Sequence, residues 1–255
     1  MQIAPRTGGP VPDVASLLAR LASDGGRPRL TWYGDDGERV ELSGAVLANW
    51  ASKTVNLLVE EFDAAPGTRV VVDLPVHWRT AVWALAAWRT GATVVLPDGD
   101  AAHPDTTHPG RAHADVVVTD GPDRWADSRA DLVVVSLPAL ARRYDGDLPA
   151  GAMDAASAVM TYGDAIGWVP EVDPAQDALV AAGHAVGHKD LVPEPGNGAR
   201  VLTDGRGAVA DVLRDLLGVW AGGGSVVLTS AATAVELEQD ETRLNRLLST
   251  EQARR

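Results

Sequence analysis

The chain has 255 residues, 45% of them hydrophobic and 22% charged, which suits one large globular α/β unit and excludes a disordered chain. Its formal charge of −13 disfavours nonspecific contact with nucleic acid or an anionic membrane, since like charges repel. No cysteine occurs, so disulfides, thiol nucleophiles and Cys-ligated metal sites are excluded.

The predicted elements follow in chain order. The N-terminus, Met1-Gln-Ile-Ala-Pro, opens no apolar signal core, and no apolar run reaches about 18 residues, so a cytoplasmic location is expected. A helix is predicted over Asp13–Ala22, ended by Gly25-Gly26. Arg29–Tyr33 and Arg39–Leu42 read as a hairpin around Asp35-Asp36-Gly37, where glycine tolerates positive φ. Ser43 is placed to cap a helix running to about Phe62, with Val46, Leu47, Trp50, Val55 and Leu58 at helical spacing.

Strands and helices then alternate. Arg69–Leu74 reads as a buried strand, His77–Thr90 as a helix ended by Gly91, and Thr93–Leu96, Asp115–Thr119 and Leu132–Val135 as further strands. Such alternation predicts α/β architecture with mostly parallel sheets covered by helices. Ala152–Tyr162 is a candidate helix, followed by a loop framed by Pro170 and Pro174. Asp177–Ala182 is strand-like and feeds a glycine loop, Gly183-His184-Ala-Val-Gly187-His188-Lys189-Asp, with no hydroxyl side chain. A strand at Arg200–Thr203, a helix at Ala208–Trp220, a strand at Ser225–Thr229 and one amphipathic helix from about Val235 to Ser249 complete the pattern.

Several segments together resemble the N-terminal part of AMP-forming acyl- and aminoacyl-adenylating enzymes: acyl-CoA synthetases, luciferases and peptide-synthetase adenylation domains. Leu30–Tyr33 through Leu42-Ser43 and the following helix are similar to that family's opening hairpin and helix. Gly67-Thr-Arg-Val-Val-Val-Asp-Leu-Pro75 resembles its "GDRVAILLPN" strand, and Ala84–Pro97 its "AxLKAGAxxVPL" segment. Leu216–Leu228 resembles "PLLxGAxVVL". The order and spacing hold from about Leu30 to Leu228. The chain also resembles a small actinobacterial family of shortened relatives of these synthetases, in keeping with an Arg-, Ala-, Asp- and Gly-rich composition that has only Lys53 and Lys189 as lysines.

The resemblance implies a truncated adenylating-enzyme N-terminal domain with two interleaved lobes, 29–62 with 198–250 and 66–192, and a ligand cleft near the carboxyl ends of strands. It also implies that the glycine loop stands where the family carries "YTSGTTGxPKG". Here every hydroxyl of that motif is replaced, leaving Gly183, His184, Gly187, His188 and Lys189 as the cofactor-binding candidates. The chain ends before the family's acidic magnesium motif, its ribose-binding aspartate and its mobile C-terminal domain. The expectation is therefore a non-catalytic relative, with adenylation not expected from this chain alone, because phosphoryl chemistry needs those charges and donors. No cofactor is expected. The alternatives are altered chemistry on ATP, AMP, coenzyme A or an acyl ligand, or one subunit of a split ligase whose partner covers the surface left by the missing domains.

Other candidates have simpler readings. Gly183-x3-Gly187 lacks the spacing and the Lys-Ser/Thr pair of a Walker loop. His103, His108 and His113 with Asp105 could offer metal ligands, but Pro104 and Pro109 forbid a helix and the family's equivalent segment is a surface linker. Asp36, Asp98, Asp100 and Asp105 read as turn caps without calcium-loop spacing. Trp78, Trp83 and Trp88 recur every five residues on one helix, which spreads them around its circumference, as core or as a ligand wall. No Gly-x-Ser-x-Gly elbow is present.

Overall fold

The computed structural model describes residues 11–97 and 114–255. The histidine segment His103–His113, with Asp98, Asp100 and Asp105, lies outside the described residues. Eleven strands are described: β1 Pro28–Tyr33, β2 Arg39–Ser43, β3 Arg69–Asp73, β4 Thr93–Val95, β5 Val116–Thr119, β6 Asp131–Val134, β7 Met153–Asp154, β8 Asp177–Ala181, β9 His184–Gly187, β10 Arg200–Thr203 and β11 Ser225–Thr229. The helices are α1 Val14–Ser23, α2 Gly44–Phe62, α3 Trp78–Arg89, α4 Ala155–Ala158, α5 His188–Leu191, α6 Val209–Ala221, α7 Ala231–Gln239 and α8 Glu241–Glu251.

The strands form two sheets. One has four strands in the order β10-β11-β1-β2, so residues from both ends of the chain pair directly. The other has seven, in the order β7-β6-β5-β3-β4-β8-β9, parallel throughout except for the antiparallel pair β8–β9. This is the mostly parallel α/β architecture that the alternation predicts.

Local chemistry sets the element ends. Asp13 caps α1 by accepting from Ser16 N at 2.7 Å, and Ser43 caps α2 by accepting from Val46 N at 3.3 Å. The hairpin turn places Asp36 at φ 54° and Gly37 at φ 78°. Helix α3 uses His77 as its cap, with Nδ1 accepting from Arg79 N at 3.1 Å. Gly91 ends it at φ 83°, and a Cβ there would come 2.8 Å from Pro66 Cγ, so only glycine fits.

Period-two alternation sorts the strand side chains onto two faces. Val70, Val72, Val94, Val116 and Val118 join Leu30, Trp32 and Leu42 of the smaller sheet in one core built around α1, α2, α3 and α6. Val71, Val95 and Val117 point the other way and pack with Trp125. The outer face of the smaller sheet is covered by Leu237, Leu244 and Leu247 of α7 and α8, packed on Val227. Glu251 fixes that cover: it is buried, and it accepts from Tyr33 Oη at 2.5 Å, Arg39 Nη2 at 3.0 Å and Arg200 Nη2 at 2.5 Å.

Three expectations change. The single C-terminal helix is two, because the Asp240 carboxylate accepts from Arg243 N at 2.9 Å and starts α8 afresh. Of the candidate helix Ala152–Tyr162 only the one-turn α4 and a 3₁₀ turn, Val159–Thr161, form, after the short strand β7. All three tryptophans of α3 are buried, in line with the core reading of their spacing. The glycine loop after β8 is not a loop but a hairpin: only two residues, Ala182 and Gly183, separate β8 from β9.

Candidate functional site

The carboxyl edge of the seven-stranded sheet is where an α/β fold of this topology offers a crevice. From β3 the chain adds β4 on one side, then crosses to add β5 on the other, so the order reverses between β3 and β5. Asp73 ends β3 and Thr119 ends β5, facing each other across that crevice, with Thr119 Oγ1 donating to Asp73 Oδ2 at 3.1 Å. Arg124 fills it. Its Nε donates to Asp73 Oδ2 at 2.9 Å, and its Nη2 to Asp120 Oδ1 at 2.7 Å and Thr119 Oγ1 at 3.1 Å. Trp125 Nε1 also donates to Asp73 Oδ2, at 2.7 Å. The position that commonly receives a ligand is thus occupied by the protein's own arginine and indole.

Strand β8 brings Ala181 to the same edge of the sheet, and there Ala182 (φ 49°) and Gly183 (φ 73°) form the two-residue turn into β9. Two successive positive φ values are those of the tight hairpin turn whose twist matches paired strands. The ladder then runs Ala181↔His184, Val180↔Ala185, Leu179↔Val186 and Asp177↔Gly187. Gly183 and His184 are therefore at the tip, whereas Gly187, His188 and Lys189 are at the opposite end of β9. Five residues contiguous in sequence are distributed along a hairpin.

Their polar groups are committed accordingly. The backbone N–H of His188 donates to Gln176 O at 3.0 Å, and that of Lys189 to Pro174 O at 3.1 Å. The His188 ring is buried, with Nε2 3.2 Å from Gly91 O, and burial holds its pKa below the ordinary histidine value. His184 and the Lys189 side chain are exposed. The separation of Gly183 from Gly187 follows from β pairing, which extends the chain by about 3.3 Å per residue.

A second constellation, given by no motif, gathers at the start of α3. Trp78 and Arg79 are 2% and 7% exposed, and Arg79 Cζ lies 4.3 Å from the Trp78 ring centroid and 5.6 Å from that of Trp50. Arg79 gives its Nε to Leu137 O at 3.5 Å and its Nη2 to Pro138 O and Ala139 O, each at 3.3 Å. Burial lowers its pKa to about 10, against the field of Glu38. His77 stands with its ring edge-on to Trp32 at 4.5 Å, and burial, with the Arg79 charge, lowers its pKa to about 3. Trp88, the last of the three tryptophans, is core: its Nε1 donates to Ala178 O at 2.8 Å. The five-residue spacing of the tryptophans was the only sequence signal near this constellation; Arg79 gave none.

Among the described residues no cluster of three or more His, Asp or Glu side chains could hold a metal ion, and no helix is long and apolar enough to cross a membrane.

Comparison with known proteins bears on the fold and the family. No model of a protein family matches the chain. Among solved structures, an acyl-CoA synthetase of Brucella canis superposes with a TM-score of 0.68 at 18% identity, over 91% of this chain and 47% of that one. VinN, solved with L-aspartate, gives a TM-score of 0.61 at 18% identity, over 90% of this chain and 65% of that one. A nonribosomal peptide synthetase solved with alpha-methyl-L-serine-AMP gives 0.59 at 21% identity, over 87% of this chain and 24% of that one. The fold is that of the N-terminal domain of adenylating enzymes, and the chain spans about half the length of the Brucella enzyme or less of the peptide synthetase. A protein of Mycobacterium tuberculosis (strain ATCC 25618 / H37Rv), described as a TIGR03089 family protein, is 37% identical over 252 residues, covering 94% of this chain and 96% of that one. On that likeness the chain belongs to the TIGR03089 family, built on the fold that adenylating enzymes use for their N-terminal domain.

Proposed function

We propose that this protein is a non-catalytic relative of the acyl-adenylating enzymes, acting as a small-molecule-binding or protein-interaction module. One observation carries the reading: the segment that the resemblance sets in the phosphate loop's place is closed into a hairpin by Ala182 and Gly183, and the N–H groups of His188 and Lys189 are already donated to Gln176 O and Pro174 O. A phosphate-binding loop works by pointing several free N–H groups and hydroxyls at one anion. Here the turn carries no hydroxyl, and the one nearby lysine sits at the far end of β9.

The filled crevice at Asp73 and Thr119 supports the same reading, since a ligand there would have to displace Arg124 from two carboxylates. The test is ATP–pyrophosphate exchange with magnesium and a broad panel of carboxylic and amino acids. Exchange at background level for every acid is expected. Reproducible exchange with any one of them, lost in a Lys189→Ala variant, would overturn the reading.

A further inference from the structure

The constellation at the start of α3 lines a partly open cavity of about 20 Å³, with walls that include Trp50, Thr54, Trp78, Arg79, Trp83 and Ser136. Space of that size exceeds the roughly 10–15 Å³ needed to seat one water-sized group. No carboxylate lines it. Glu38, the acid whose field reaches Arg79, is engaged elsewhere: its oxygens accept from Trp32 Nε1 at 3.0 Å and from Ala139 N at 2.7 Å.

Two donors are left over. The guanidinium spends Nε and Nη2 on three backbone carbonyls, and its Nη1 has no hydrogen-bond partner among the described residues. The Trp78 indole N–H is buried with no partner among the described residues. The two hydroxyls on the wall have given their protons away, Thr54 to Trp50 O at 2.9 Å and Ser136 to Arg143 O at 3.0 Å. An orphaned buried N–H and a buried cation with no carboxylate in contact, only the more distant field of Glu38, are each costly. A water molecule would satisfy the first and leave the second; an anion satisfies both.

We propose that this cavity binds a small monoanion, of halide to formate size, held by the Arg79 guanidinium and the Trp78 indole N–H. The walls come from α2, the first turns of α3, and the segments following β6 and β7, so a bound anion ties the start of α3 to the end of the sheet that carries β6 and β7. The site is independent of whether adenylation has been lost.

The test uses the full chain, prepared with gluconate, which is too large to enter, as the sole counter-anion. Sodium bromide and sodium formate are titrated separately at constant ionic strength while the thermal midpoint is followed. A saturable rise with either salt is expected, bromide alone indicating a halide site and formate alone a carboxylate site. Trp78→Phe, which keeps the ring and removes only the N–H, should weaken binding at least tenfold, the value of one charged hydrogen bond. Arg79→Gln should abolish it, and where that variant does not fold, Trp78→Phe carries the test alone. Crystals soaked in bromide should show an anomalous peak within hydrogen-bond reach of Trp78 Nε1. No saturable rise with either anion, an unaltered affinity in Trp78→Phe, or water alone in the bromide-soaked cavity would each overturn the proposal.

Discussion

The seven-stranded sheet ends in two places that behave oppositely. At one edge, the hairpin Asp177–Gly187 carries the residues most conspicuous in the sequence, and pairing spreads them out and spends their backbone donors on neighbouring carbonyls. At the other edge, beyond β6 and β7, side chains from four distant segments converge on one cavity and leave the buried Trp78 N–H without a partner among the described residues. The difference teaches that a run of suggestive residues is informative only if the backbone keeps it together. A strand separates neighbours at about 3.3 Å per residue, whereas packing brings together residues far apart in the chain.

The comparison is sharpest in packing. Trp83 is 3% exposed and lines the cavity, so Trp83→Ala should cost about 3–5 kcal/mol, the usual price of removing a buried aromatic side chain. Val186 on β9 is only half-buried, and Val186→Ala should cost under about 1 kcal/mol. Urea unfolding of both variants checks this; equal losses would mean that the hairpin is as firmly packed as the start of α3.

The second contrast is electrostatic. His77 has its pKa lowered from 6.5 to about 3 by burial, with Arg79 adding to the shift. Below pH about 6.5 the unfolded chain takes up a proton that the native state refuses, so stability is full above that pH and falls as the pH drops towards 3. The slope for one such group is about 1.4 kcal/mol per pH unit. His188 is shifted in the same direction and adds its own share. His77→Asn keeps a side chain that caps α3 and removes the titration. It should therefore reduce the slope between pH 6 and 4.5 by about 1.4 kcal/mol per unit, read from urea midpoints across that range. An unchanged slope would show that His77 is solvated rather than held neutral against Trp32.

Much of the fold was legible because its signals are local. The valine runs of β3 and β5, with turn residues on either side, announce buried parallel strands, and Asp36-Gly37 announces its turn through the chemistry of positive φ. The second hairpin was not legible, because Ala182 is a poor residue for positive φ and His184-Ala185-Val186-Gly187 holds a single good strand former. The break at Asp240 was hidden for a similar reason: the apolar spacing of Leu237, Leu244 and Leu247 continues through it, and only one residue, Asp240 at φ −127° and ψ 88°, leaves the helical conformation and caps α8. The cavity could not be read at all, since its walls lie at 50–54, 78–83, 135–136 and 155–159. No periodicity links four such segments.

The smallest expected effect separates the two glycines that made the hairpin look like a loop. Gly183 sits at φ +73° with open space around its α-carbon, so an alanine there meets no atom but is forced into the left-handed region, costing about 1 kcal/mol. Gly187 has φ −73°, and an added Cβ would lie 3.4 Å from Gln176 O, an ordinary contact, so Gly187→Ala should stay within about 0.5 kcal/mol. Ala182, at φ 49°, is the converse case. Ala182→Asn suits the first turn position better and should gain about 0.5 kcal/mol. Chemical denaturation of the three variants resolves the order. If Gly187→Ala proved the costlier glycine change, the backbone near Lys189 would have to be bent as a phosphate loop is, and the hairpin register Asp177↔Gly187 would be the first thing to give up.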